Sequence, residues 1–237
     1  MTKKLQSKKG LFLATVAVAT TLCVGGCLCG CSGTITVTSN GNTTTINANG
    51  TTTTTTNTNT TPTAKSYNFT DVSAVEVDLN IGDLIISKGD GFTVTATYPE
   101  AYAPTVECTN GKLVVKHNGD FNNVGTNEDW GVVITVPEDY KLSNMDLDLS
   151  LGNMTLSDLV VESFKAEDSL GSINMNYCVF QTVNIEADMG DVNGTQIGFA
   201  SGTIETNMGS IDMNGDFDSI TAHSDLGTAT VNGKKVS

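Results

Sequence analysis

The sequence predicts an all-β protein built on a parallel β-solenoid, a β-helix-like stack of coils about 19 residues long. Three observations support this fold class. A Leu-Gly or Met-Gly pair recurs at nearly constant spacing, apolar and polar residues alternate around each pair, and no segment of the repeats has apolar residues at helical spacing. The glycines are Gly152, Gly171, Gly190, Gly209 and Gly227, spaced by 19, 19, 19 and 18 residues. Crossovers between parallel strands favour a right-handed path, so we predict right-handed coils, with left-handed short coils as the alternative.

Residues 1–30 have the pattern of a lipoprotein signal peptide. Four lysines precede an apolar stretch from residue 11 to about residue 24, and the first acidic residue is Asp71. The stretch ends in Leu28-Cys29-Gly30-Cys31, which resembles a bacterial lipobox with Cys31 as the lipidated residue. Lipidation of Cys27 and an uncleaved single membrane anchor are the alternatives. We therefore predict a lipid-anchored protein on the extracytoplasmic face of the cell membrane.

Residues 31–66 are rich in threonine, asparagine and glycine. Few bulky apolar side chains occur there, so the segment cannot recover the entropy lost on ordering. We predict a disordered tether, apart from a local hairpin around Asn40-Gly41.

Residues 67–237 are expected to form one β-solenoid domain with a less regular N-terminal half. An upstream coil has the same register as the repeats, because alternating apolar residues lead into Gly82. Strand-like runs follow at 92–98, 112–116 and 132–136, with Pro99, Pro104 and Pro137 between or after them.

Within the repeats, residues at fixed distances before the glycine are expected to face the core. One position before it stand Leu151, Leu170, Met189, Met208 and Leu226; five before it stand Leu147, Ala166, Ile185, Ile204 and Ala222. After the glycine the inward set changes parity and begins with Met154, Ile173, Val192, Ile211 and Ala229. A change of parity at a recurring glycine predicts a corner between two short strands.

Composition excludes some functional classes. The formal net charge is −14 and there is no arginine, whereas a nucleic-acid surface needs clustered cations; we predict no nucleic-acid partner. The two histidines, His117 and His223, lie far apart in sequence and match no catalytic or metal motif, so we predict that the protein is not an enzyme.

An acidic column four residues before the glycine is the main candidate site. Asp148, Glu167, Glu186 and Glu205 would stack on successive coils, with Asp78 upstream and His223 at the end. One interpretation is a solvated outer face; the sharper one is a cation-binding stripe, with calcium as its ligand. No other cofactor is expected.

Two cysteines lie within the predicted domain, Cys108 and Cys178. An exported chain permits a disulfide between them. Cys178 occupies a repeat position shared with Leu159 and Ile197, which favours a buried thiol.

Three sequence features resemble the bacterial putative-adhesin β-solenoid domain, a family of unknown function. They are the run from Val75 to Leu84, the segment Val133-Ile134-Thr135-Val136-Pro137 with Tyr140-Lys141-Leu142, and the recurring Leu-Gly turns, so the resemblance spans roughly residues 67–237. It implies a solenoid at the cell envelope and no particular functional residues.

We therefore predict a non-catalytic surface protein that displays an acidic face for adhesion or envelope interactions. Its partners would be the bacterial membrane, through the lipid, and a host or envelope protein or glycan. The alternative is a cation-responsive or envelope-stress accessory module that acts through a membrane-protein partner.

Overall fold

The computed structural model describes residues 34–39, 42–47, 52–55, 61–119, 121 and 130–236. The chain divides into two compact units, Met1–Thr56 and Asn57–Ser237. The first unit contains a three-stranded antiparallel sheet in the order β1-β2-β3. Its strands are β1 (Thr34–Ser39), β2 (Asn42–Asn47) and β3 (Thr52–Thr55).

These three strands lie inside the segment for which the sequence predicts a disordered tether. The antiparallel pair of β1 and β2 matches the local hairpin expected around Asn40-Gly41, whereas β3 is additional. Threonine dominates them, and its β-branched side chain favours extended backbone over helix or coil. Composition argues against a packed core, but it does not prevent local strand pairing. The tether remains a prediction for the rest of residues 31–66.

The second unit contains one sheet of 16 strands and one short 3-10 helix, Glu100–Tyr102. The strands are β4 (Thr63–Phe69), β5 (Ala74–Leu79), β6 (Asp83–Gly89), β7 (Phe92–Tyr98), β8 (Thr105–Thr109), β9 (Lys112–Lys116), β10 (Gly131–Pro137), β11 (Lys141–Leu149), β12 (Met154–Ser157), β13 (Val160–Leu170), β14 (Ile173–Asn176), β15 (Val179–Met189), β16 (Val192–Met208), β17 (Ile211–Leu226), β18 (Ala229–Val231) and β19 (Lys234–Lys235). The all-β prediction is confirmed.

The repeats alternate a short strand with a long one, and equivalent strands of successive repeats pair in parallel. Among the short strands, Met154 aligns with Ile173, Ile173 with Val192, and Val192 with Ile211. The long strands pair in the order β5, β11, β13, β15, then the later parts of β16 and β17. Each step between repeats therefore places a residue beside the one about 19 positions later.

The sheet as a whole is mixed, which corrects the expectation of a purely parallel solenoid. β4 pairs with β7, β7 with β10, β8 with β9, and β18 with β19, all antiparallel. The β8–β9 pair has a local cause: Asn110 and Gly111 both have positive φ, as a tight hairpin turn requires. Apart from β18–β19, at the last repeat, the antiparallel pairs lie outside the regular repeats. The handedness of the coils remains a prediction.

The inward columns are confirmed in part. Leu147, Ala166, Ile185 and Ile204 are buried, and so are Met154, Ile173, Val192 and Ile211. The column one position before the glycine is wrong at four of its five residues: Leu170, Met189, Met208 and Leu226 are 43%, 42%, 46% and 70% exposed, whereas Leu151 is partly buried against the core. The alternation of inward and outward side chains stops two residues before this column, because the chain begins its corner there. The last inward position of each long strand is instead three before the glycine, at Leu149, Asp168, Ala187, Thr206 and Ser224.

The glycine corner is fixed by contact between successive glycines. A Cβ on Gly171 would lie 1.6 Å from the carbonyl oxygen of Gly152, and one on Gly190 would lie 1.5 Å from that of Gly171. No side chain fits in that space, so the repeated glycine is a steric requirement.

A second corner separates each short strand from the following long one. Asp158, Tyr177 and Gln196 hold positive φ angles of 59°, 55° and 55° there. The next coil lacks the equivalent residue, because Thr195 pairs with Asn214 and Ile197 pairs with Gly215. This deletion is why the last spacing in the sequence is 18 instead of 19 residues.

Candidate functional site

The acidic column predicted from the sequence lies in register on the outer side of the long strands. Asp78 aligns with Asp148, Asp148 with Glu167, Glu167 with Glu186, and Glu186 with Glu205. His223 follows Glu205. Parallel strands repeat at about 4.8 Å, so five carboxylates form a line about 19 Å long.

Lysines neutralise the first part of this column. Lys116 Nζ lies 2.5 Å from Asp78 Oδ2, and Lys165 Nζ lies 2.5 Å from Glu167 Oε1. In the described part of the chain no ion pair involves Glu186 or Glu205, and Glu186 accepts a hydrogen bond from Asn184 at 3.3 Å. The negative charge is therefore least compensated on β15 and β16.

A shallow depression of about 160 Å³ lies beside the paired end of the column. Its lining consists of Glu76, Val77, Asp78, Asp146, Asp148, Lys165 and Glu167. Partial desolvation raises the pKa of Asp148, and the nearby Asp78 and Glu167 raise it further. The depression therefore favours bound positive charge.

The residue types would suit a hard cation, yet their arrangement is linear. Over residues 61–119 and 130–236, no group of three or more His, Cys, Asp or Glu residues converges as a metal site. Calcium takes six to eight oxygen ligands around one centre, which a straight column does not supply from its carboxylates alone. The cation stripe stays a prediction.

Asp168 is an interior acid that the sequence patterns missed. It is 3% exposed, and within the described ranges neither carboxyl oxygen has a hydrogen-bond partner of ordinary geometry. In the same column, Thr206 Oγ1 donates to the carbonyl of Gly190 at 3.2 Å and Ser224 Oγ donates to that of Gly209 at 2.7 Å. In these two coils, the residue three positions before the glycine therefore donates a hydrogen bond to the glycine carbonyl of the preceding coil.

Burial raises the pKa of Asp168 to about 7, which outweighs the lowering effect of the nearby Leu170 backbone N–H, and Asp148 adds a smaller rise. Asp168 Oδ2 lies close to Gly171, just as Ser224 Oγ lies close to Gly227. A protonated Asp168 carries an O–H group and would therefore resemble the hydroxyl donors Thr206 and Ser224 of its column. The sequence does carry the signal: aspartate stands where Leu149 and Ala187 stand in neighbouring coils.

A closed cycle of five rings covers the N-terminal coil. Tyr98 contacts His117 and Trp130, Trp130 stacks on Tyr102, and Phe121 contacts both Tyr102 and His117, with centroid distances from 4.5 to 5.7 Å. His117 Nδ1 accepts a hydrogen bond from the backbone N–H of Asn80, and burial lowers the pKa of His117 to about 4. This histidine is a neutral packing residue.

Both cysteines of the predicted domain are free thiols. Cys178 is fully buried at the position shared with Leu159 and Ile197, and burial raises its pKa to about 11. Cys108 is half-buried on β8. The expectation of a buried thiol at Cys178 is therefore met.

The predicted lipidation residue Cys31, its alternative Cys27 and the signal peptide at 1–30 lie outside the described residues. Within the described ranges, no helix combines the length and apolar character needed to cross a bilayer.

A family model described as Toastrack DUF4097 matches residues 72–236. No curated protein matches the sequence. Among solved structures, a putative adhesin from Bacteroides fragilis is 12% identical, with 72% of this chain and 95% of that chain covered and a TM-score of 0.39. A putative cell adhesion protein from Clostridium sporogenes is 13% identical, with 72% and 98% covered and a TM-score of 0.32. A putative lipid binding protein from Parabacteroides distasonis is 14% identical, with 72% and 96% covered and a TM-score of 0.26.

Proposed function

The chain belongs to the Toastrack DUF4097 family, and from that premise we propose that it is a non-catalytic cell-surface protein that displays an acidic sheet face for adhesion or envelope interactions. The observation that carries the proposal is the column of stacked carboxylates, of which Glu186 and Glu205 have no lysine partner among the residues that the structure describes. Stacked solenoid coils hold these charges at fixed spacing, so a partner gains affinity without ordering the surface that it binds.

The anchor is the second part of the proposal. A lipid on Cys31 would hold the protein on the extracytoplasmic face of the membrane, and the Thr-rich segment would set its reach. Cys31→Ala should abolish incorporation of labelled fatty acid and release the protein from membranes, whereas Cys27→Ala should do neither. Unchanged labelling of the Cys31 variant would contradict this assignment.

Binding through the acidic face is tested with the full chain on arrays of host matrix proteins, envelope proteins and glycans. Glu186→Gln combined with Glu205→Gln should weaken binding by about two- to thirty-fold, because each of the two exposed ion pairs contributes about 0.2–1 kcal/mol. Asp90→Asn with Asp139→Asn is the matched control, since both acids are exposed and lie off the column. Equal loss in the control pair would reject the face as the binding surface.

The cation-responsive alternative is favoured by one observation, the clustering of Asp78, Asp148 and Glu167 around the depression with a raised Asp148 pKa. It predicts that calcium raises the thermal midpoint of the full chain, that chelation lowers it, and that Asp148→Asn removes the response. A midpoint unaffected by either treatment would end the calcium hypothesis. Crosslinking in cells that recovers a membrane protein, with no ligand on the arrays, would favour the accessory role.

A further inference from the structure

The last long strand of the sheet leaves most of its outer edge unpaired. β17 pairs with β16 along its whole length, but with β18 only through Ile211, Asp212 and Met213. Asn232 extends this cover by two hydrogen bonds to the backbone of Gly215. Beyond that point, no strand within the described residues pairs with the outer edge of residues 216–226. These 11 residues are called the open edge below.

The other edges of this sheet carry protective features that the open edge lacks. β4 carries Lys65, β19 consists of Lys234 and Lys235, and β8 has only five residues. Lysines and short strands are common devices against the addition of another chain. The open edge carries no lysine and is long enough, at about 3.3 Å per residue, for a strand of about 36 Å.

The core side of the open edge is incompletely covered. Phe217, Ile220 and Ala222 pack against the core but are only partly buried, whereas Phe199 and Ile204, which align with Phe217 and Ala222 on β16, are at most 5% exposed. Phe217 and Ile220 are three positions apart, with the exposed Asp218 and Ser219 between them. An added strand would cover the core side as β17 covers β16 if its apolar side chains alternate apart from one shift of parity opposite Ser219.

The outer side of the open edge selects the charge of its occupant. Asp216, Asp218 and Asp225 are exposed there, and the one basic side chain beside them, His223, lies 2.9 Å from Asp225. A second copy of β17 would bring the same three aspartates against these, and like charges on neighbouring strands destabilise pairing. Lysine or arginine on the added strand would be attracted instead.

We propose that the open edge binds an extended segment of a partner protein, in which apolar residues alternate with lysine or arginine, as one additional strand. Backbone hydrogen bonds would supply affinity, the apolar side chains would complete the core, and the basic ones would face the aspartates. The inference goes beyond the proposed function, because it concerns the edge of the sheet and does not depend on the acidic column or the anchor.

The probe for the test is the acetylated peptide Lys-Val-Lys-Ser-Val-Lys-Val-Lys-Val-Lys, added to the full chain. Its serine supplies the shift of parity opposite Ser219. We expect saturable binding by fluorescence anisotropy and slower hydrogen exchange confined to residues 216–226. A peptide with glutamate in place of lysine, and one with N-methyl groups on alternate amides, should each bind at least ten-fold more weakly.

Variants locate the binding surface. Asp216→Asn and Asp218→Asn should each weaken binding about two- to five-fold, as expected for exposed charge pairs. Asp90→Asn, which removes one exposed charge that lies neither on β17 nor in the acidic column, should leave affinity unchanged. The proposal is overturned by absence of peptide binding, by equal binding of the N-methylated peptide, or by an Asp90→Asn effect as large as that of Asp216→Asn. Self-association of the full chain that already protects residues 216–226 would also overturn it, in favour of a second copy.

Discussion

At the scale of single residues, the ladder glycines have the most direct steric role. Gly171→Ala would force a Cβ to within 1.6 Å of the Gly152 carbonyl oxygen, so the corner would have to open. We expect a loss of several kcal/mol in the free energy of unfolding, measured by urea denaturation. Gly91→Ala is the control, because a Cβ there meets nothing within 4 Å. A loss no larger than the control's would contradict the steric account.

Asp168 and His117 should oppose each other in the pH dependence of stability. The pKa of Asp168 rises from 3.8 to about 7 on folding, so its contribution is full below pH 3.8 and is lost as pH rises toward 7. The pKa of His117 falls from 6.5 to about 4, so its contribution is full above pH 6.5 and is lost as pH falls toward 4. Between pH 4 and 6.5 the two residues therefore change the free energy of unfolding in opposite directions, and their effects cancel.

Asp168→Asn should reveal the pH dependence of stability that His117 contributes. The free energy of unfolding of this variant should rise by up to about 1.4 kcal/mol per pH unit between pH 4 and 6.5, while the unsubstituted chain stays comparatively flat. The variant should also be the more stable of the two at pH 8, because it buries no charge. Asp188→Asn, an exposed aspartate of the next coil, serves as the control. Parallel pH profiles for Asp168→Asn and the unsubstituted chain would refute the assignment.

At the scale of elements, the corners before β13, β15 and the long part of β16 each depend on one residue in the left-handed region. Tyr177 holds φ at 55° with its side chain 57% exposed, so it bears backbone strain with little burial in return. Tyr177→Asn should raise the free energy of unfolding by about 0.5–1 kcal/mol, since asparagine tolerates this conformation better. Tyr140→Asn, at a half-buried tyrosine with negative φ, should be destabilising instead. A destabilised Tyr177→Asn variant would show that the corner is not strained.

At the scale of the whole molecule, the repeats should behave as a stack whose coils interact chiefly with their neighbours. Deletion of residues 172–190 joins Gly171 to Asp191, which reproduces the Gly190–Asp191 junction and keeps every column in register. We expect the shortened chain to keep its β-type circular dichroism spectrum and to unfold cooperatively at lower denaturant concentration. Deletion of residues 172–181 breaks the register and should abolish the cooperative transition. Loss of the fold in both deletions would argue for a single indivisible core.

The sequence alone was sufficient for features that repeat. Alternation with period two gave the strands, the glycine spacing gave the coil length, and column alignment placed Glu167, Glu186 and Glu205 on one line, which the strand register reproduces. These features depend on local geometry, since every residue of a strand faces one of two sides and equivalent residues of successive coils stack.

Only the tertiary structure decided where the alternation stops and what the ends of the sheet do. Met189 and Met208 satisfied the pattern of core residues, yet the chain has already begun its corner there and exposes them. Asp168 is buried because its coil position is interior, whatever its polarity. The antiparallel hairpins and the unpaired edge of β17 depend on which strands meet in space, and a pattern along one chain cannot specify pairing between distant segments.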